Sequence, residues 1–452
     1  MLRAWGIAVL LCVLGCRDVG LARLHRDAGV DGGVGADAGV PDAGPPDAGT
    51  FDGGWIGTWE PLGPPLGSDA QVYPALAFDP RGRLLVAYVD LASSPGATPT
   101  ELHVVRWSGS TWEPLGGTVA RSDTRFPYSA PLWLRLASER DGRPVLAFGD
   151  SGPDGGLGSF PVQTWAFDGS AWQPIPAPGS GPFLNGMALA CGPDGQLRLV
   201  LSGGDALGVW TLGPAGWTPA VAPLLDDGGV SEPDLALAGD GSPVVVFSEA
   251  PAPGSFGPLR AWRWDGAGWI DLGLPSPDAW GMLFHTPRVR LRSDGGVVVA
   301  ASQWRYDPET KMQLGVAEPV FALGEGGWTA LPEDGPPGGS GLSEPIAGAP
   351  IGLQLANDVP VLVSTGADGG AELRALPDEG SRTAPPLPGV TAGTLALAAD
   401  GAPYVGGVTP LVISADPSET DGGQVQVLRF VGQPVVAPPR SPDPALHEPM
   451  RP

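Results

Sequence analysis

The side chains able to do chemistry fall into three groups. Asp90, Asp150 and Glu249 each close an apolar run, so carboxylates recur at one register of the chain. Carboxylates so placed suit a weakly held cation or sugar hydroxyls, but single ones from separate segments lack the roughly six to eight clustered oxygens that calcium takes. Tyr73 and Trp133 share a second register, and Trp280, Phe284 and His285 gather in one later connection. Their flat faces with a polar edge suit stacking on a glycan or a partner protein, or packing between structural units. The third group is cationic. Arg290 stands where other segments carry Ala, and Arg135, Asp234 and Arg288 share a neighbouring register with Ala75, Ala188 and Thr394. An arginine removed from bulk water needs an acid or water beside it. The group therefore reads as a structural ion pair or as a channel binding a carboxylate or other anion.

These residues do not assemble into a familiar catalytic set. The four histidines are His25, His103, His285 and His447, and no zinc-ligand spacing, phosphate loop or nucleophile elbow accompanies them. No metal and no cofactor is expected. Cys191 aligns with Phe78, Leu237 and Leu291, which predicts a buried core thiol. With Cys12 and Cys16 the only other cysteines, no disulfide is expected within the main domain.

What positions these groups is a phrase used seven times. Turn residues Gly82, Gly142, Gly195, Gly241, Gly295, Asp358 and Gly401 mark the copies. Before the turn comes an apolar residue and then a small one, as in Leu76-Ala77, Leu136-Ala137 and Leu235-Ala236. After it comes an apolar strand such as Leu84 to Tyr88. A third strand follows, as in Leu102 to Trp107, then a tight turn such as Asp168-Gly169, then a Trp that opens a fourth strand. Asp-Gly between apolar runs is a strong hairpin signal. Repeats of this size are single supersecondary units stacked on their own copies. The pattern resembles a β-propeller and implies an all-β fold of seven four-stranded blades, with six or eight left open. The Ala register fits innermost strands that crowd around an axis. Pairing the lone fourth-strand phrase at Trp59 with the last third-strand phrase, Gln424 to Phe430, would close the ring and remove its free edges. In the competing account Val435-Val436 supplies that last strand. The three groups above then lie on the face that carries the long, irregular connections, where binding usually resides. The turn-Trp phrase is a residue short of the sialidase-type Asp-box, and no catalytic propeller family is matched.

The chain ends carry a second message. Residues 1–15 hold one early Arg and an apolar run of about a dozen residues, too short for the roughly 20 of a membrane span and fitting an export signal. The run closes Val13-Leu14-Gly15-Cys16, which resembles a bacterial lipobox and implies lipidation of Cys16. Arg17 follows, not Asp, which in that resemblance favours the outer membrane or cell surface. Residues 16–54 form an Asp/Ala/Gly/Pro tether expected to be disordered, residues 55–437 the propeller, and residues 438–452 a disordered tail. The whole resembles propeller lipoproteins of high-GC Gram-negative bacteria. A net charge of −24 argues against nucleic acid and against anionic lipid as partners, leaving contact with a membrane through the lipid anchor only. The expectation drawn from all this is a non-enzymatic, lipid-anchored scaffold binding a protein or glycan. The alternatives are a glycoside hydrolase or lyase on the same scaffold, and a purely structural surface component.

Overall fold

The computed structural model describes residues 55–433, apart from 68–73, 91–99, 123–131, 150–160, 179–184, 204–205, 226–228, 250–256, 274, 276–281, 307–312, 332–351, 366–370, 377–381, 386, 389, 391–392, 410–411, 414–419 and 422–423. The expected signal, Cys16, tether and tail lie outside the described residues. So do Tyr73, Asp150 and Trp280.

The described residues form seven four-stranded antiparallel sheets in a ring, each a blade running from axis to rim. The innermost strands are Ala75–Phe78, Leu132–Ser138, Gly186–Cys191, Val230–Leu237, Met282–Leu291, Gly352–Ala356 and Thr394–Leu397, in blades 1 to 7. Each innermost strand touches the next, and that of blade 7 touches that of blade 1. Thr394 Oγ1 seals that junction by donating to the Pro74 carbonyl at 2.7 Å. Blade 7 takes its outermost strand, Ile56–Pro61, from the beginning of the described chain, pairing it with Val425–Gln433 in a register that sets Trp59 opposite Phe430. The closure expected from Trp59 is therefore the one adopted, and Val435-Val436 lies outside the described residues.

Alternation within the second strands explains the apolar runs. In blade 1, Leu84 and Val86 face the core shared with blade 7, while Leu85, Ala87 and Val89 face the core shared with blade 2. A strand sandwiched between two blades must be apolar on both faces, so its sequence shows no period of two. Each hydrophobic cluster lies between neighbouring blades, and all seven interfaces are filled. The first turn of blade 1 runs from Asp79 to Arg83. Gly82 sits there at φ 74°, and Asp79 Oδ1 accepts from the Arg81 and Arg83 amides at 2.9 Å. Blade 6 replaces this with a two-residue turn, Asn357-Asp358, both in the left-handed region.

The repeated Trp ties blades together. In four blades its indole Nε1 donates to a carbonyl of the preceding blade: Trp59 to Pro385, Trp172 to Leu115, Trp269 to Ala222 and Trp328 to Leu272, all between 2.7 and 2.8 Å. Trp217 does the same to the Thr164 hydroxyl at 3.1 Å. The blade 6 copy, which lacks this Trp, still supplies the Pro385 carbonyl that receives Trp59.

Candidate functional site at the axial mouth

The second and fourth connections of each blade open on one face, where the innermost strands begin. At that end three innermost strands break register against their neighbours. The irregularity falls between Leu132 and Arg135 in blade 2, Ser231 and Asp234 in blade 4, and His285 and Arg288 in blade 5. Each break holds one non-glycine residue in the left-handed region: Trp133 at φ 62°, Glu232 at 50° and Thr286 at 44°. The matching residue of blade 3 is Gly186, at φ 151°. A Cβ there would meet Pro233 Cδ at 2.7 Å and Glu232 Cα at 2.8 Å, so only glycine lets the blade 4 bulge pass.

The bulges aim charged groups at the axis. Asp234, 7% exposed, accepts from the Val289 amide at 2.9 Å and from Arg290 Nη1 at 3.0 Å. Arg290 also donates to Gln354 Oε1 of blade 6 at 3.2 Å. The ion-pair reading of Arg290 is thus realised, and the pair joins blades 4 and 5. Glu232 accepts from the Thr286 amide at 2.5 Å. Burial raises the Glu232 pKa above the ordinary carboxylate range, against the opposing pull of that amide, Arg288 and Arg135.

Arg135 and Arg288 are different. Burial pushes the Arg135 pKa down to about 10, and the nearby Arg288 charge lowers it further against the pull of Asp234 and Glu232. Arg288 is lowered by burial first, with Asp234 and Glu232 raising it and Arg290 lowering it. Both remain cations at neutral pH. Arg135 belongs to blade 2 and Arg288 to blade 5, nearly opposite in a seven-membered ring, so their mutual field acts across the axis. Each keeps some solvent contact while protein surrounds it, as a side chain in an axial channel would. Among the described residues neither pairs with a carboxylate. Arg135 donates to its neighbour's carbonyl, Leu134, at 3.1 Å, and Arg288 to that of Pro287 at 2.9 Å.

The other expected residues are scattered. His285 is 7% exposed, and burial alone pushes its pKa down to about 4, so it is neutral at pH 7. No field from the arginines contributes to that shift, and the structure does not bring His285 into their group. Trp133 packs at the blade 2–3 interface near Ala147, Met187 and Leu199. Asp90 and Glu249 end the second strands of blades 1 and 4. Asp90 lies opposite Glu101 in its own sheet, and Glu249 accepts from Arg260 at 3.2 Å. Cys191 corrects an expectation: it is exposed, because its strand ends there at the turn face instead of entering the interface. Glu232 was missed by sequence reasoning, although it occupies the Tyr73/Trp133 register. A carboxylate in an otherwise aromatic or small register was the available signal.

No protein-family model matches the chain, and no curated protein does. Solved structures do. An ulvan lyase, a polysaccharide lyase, superposes with a TM-score of 0.54 at 12% identity, over 84% of this chain and 95% of that one. The polysaccharide lyase Uly1 gives 0.52 at 10% identity, over 81% and 90%. An α-L-arabinofuranosidase of Fusarium graminearum gives 0.47 at 13% identity, over 84% and 97%. The two lyases overturn the expectation of a non-enzymatic scaffold. Their ring, over nearly their whole length, is the one seen here, so the lack of a familiar catalytic motif is no argument against catalysis on it. At such identities the likeness shows the fold, and this chain is accordingly a seven-bladed β-propeller.

Proposed function

We propose that this chain is a glycan-cleaving enzyme whose site is the axial mouth on the loop-bearing face. The observation that carries the reading is the concentration of backbone strain at that mouth. Left-handed non-glycine residues cost of order 1–3 kcal/mol each and cluster at functional sites. Here three recur at one register of blades 2, 4 and 5. A packed ring has no need to break its innermost ladders at one end only. Doing so turns side chains from several blades toward one point, the geometry a ligand site requires. Support for glycan as the substrate comes from the ulvan lyase and Uly1, both named as polysaccharide lyases. Between reaction types, Glu232 and Asp234 are the carboxylates closest to the arginines, and each is held by a blade 5 amide. Hydrolysis and elimination both need one group to take a proton and another to give one, so the products decide between them.

On this reading an export signal over residues 1–15 and lipidation of Cys16, both expected from the sequence, would hold the protein at the outer membrane or cell surface, where polymeric glycans are met. The test is incubation with a panel of neutral and acidic polysaccharides. Reducing ends report any cleavage, and ultraviolet absorbance of an unsaturated uronate reports elimination. Product from at least one polymer is expected. Inertness toward the whole panel removes the proposal, whether or not an immobilised glycan retains the protein.

A further inference from the structure

We infer that Arg135 and Arg288 form an oxyanion site in the axial channel, and that the ligand held there carries a carboxylate or sulfate group. The inference rests on the reading of the mouth as the working site and names the chemistry of what enters it.

Charge and geometry carry the argument. Three guanidiniums from blades 2 and 5 share the channel with two carboxylates, Asp234 and Glu232. Asp234 is committed to Arg290 and the Val289 amide, and Glu232 to the Thr286 amide. Arg135 and Arg288 are left facing one another across the axis, each giving one Nη1 donor to a neighbouring carbonyl and, among the described residues, none to an acid. A guanidinium carries five donors in a planar fork, so among the described residues each arginine keeps donors that a ligand could use. Two cations kept close in a desolvated place repel each other, and an anion between them converts that repulsion into two charge-assisted contacts. Their setting sharpens the case. The chain carries −24 overall, with 49 acidic against 25 basic residues. A cation excess at the one point where seven strands converge runs against that composition, and most other blades fill the register with Ala, Gly or Thr. A fork of two arginines grips planar carboxylate and tetrahedral sulfate alike, and a neutral sugar offers neither the charge nor the paired oxygens.

The test uses the purified protein at constant ionic strength. Sulfate is compared with chloride, and glucuronate with glucose, by thermal shift and calorimetry. Sulfate and glucuronate are expected to raise the melting temperature while chloride and glucose do not. Whichever of the two binds more tightly identifies the group preferred. Arg135→Gln and Arg288→Gln should each weaken binding at least tenfold, with part of the loss recovered by Lys. Should either variant fail to fold, the Nε–H signals of arginine in the unaltered protein read the site directly during sulfate titration. Protein that fails to distinguish sulfate from chloride and glucuronate from glucose overturns the inference. Unchanged affinity in the folded variants, or unmoved arginine signals, does the same. Anion binding at these arginines without cleavage of any glycan keeps the oxyanion site and removes the catalytic reading. Cleavage of neutral glycans by protein blind to both anions has the opposite meaning.

Discussion

At the scale of single residues, burial at the mouth makes the protein sensitive to acid. His285 has a folded pKa near 4 against 6.5 when exposed. Between those values the unfolded chain binds more protons, so stability rises with pH across the window and is lost as pH falls from about 6.5 toward 4. The depression corresponds to about 3 kcal/mol between its ends, at about 1.36 kcal/mol per pH unit. Denaturation of wild type and His285→Gln at pH 7 and pH 4 should show the difference shrinking on acidification. A constant difference would mean that His285 is not buried as described. Asp234 makes a second prediction. Asp234→Ala leaves Arg290 and the Val289 amide without their acceptor and should destabilise by about 3 kcal/mol, as broken buried pairs do. Asp234→Asn keeps an acceptor and should cost less. Urea unfolding distinguishes the two.

At the scale of elements, the repeated Trp is a bolt between blades. Trp172 is 8% exposed and its bond to the Leu115 carbonyl is buried, whereas the bond of Trp269 to Ala222 is exposed. Replacing each with Phe removes the donor and keeps most of the ring. Trp172→Phe should cost about 1–3 kcal/mol because it strands a buried carbonyl. Trp269→Phe should cost less, since water can replace the bond. Denaturant midpoints of the two variants check the order. Gly186 provides the strictest element-level test. Gly186→Ala forces a Cβ onto the backbone of Glu232 and should distort the blade 4 bulge, lowering stability and ligand binding together. These devices were only half visible in the sequence. The Trp register was plain, but its partner lies in another copy of the repeat, and no spacing reveals which carbonyl it meets.

At the scale of the whole molecule, stability depends on closure. The ring is completed by Ile56–Pro61, with Trp59 against Phe430 at 5.3 Å between ring centroids. Deleting residues 55–61 should expose the Val425–Gln433 edge, lower the melting temperature and promote association. A synthetic peptide of the deleted strand should reverse both effects. Calorimetry and light scattering read the outcome, and an undisturbed truncated protein would contradict closure by this strand.

The sequence by itself showed seven copies of a four-strand phrase and offered Trp59 as the closing strand, while six or eight blades and a closure by Val435-Val436 stayed open until the ring was seen. The copies and that candidate strand follow from local alternation, turn chemistry and a repeat spacing that the chain carries along its own length. It also exposed Arg135, Arg288 and Arg290 as intruders in small-residue registers. Only the tertiary structure decided that Arg288 lowers the pKa of Arg135 from a blade nearly opposite while Asp234 takes Arg290. Proximity of side chains on opposite blades is set by how the ring closes, which no linear period encodes. The register breaks at Trp133, Glu232 and Thr286 were hidden for a related reason. A bulge shifts one strand against its neighbour, and a pattern read along a single strand is blind to that shift. Exposure of Cys191 belongs here too, because alignment with apolar positions predicts burial only where the strand continues into an interface.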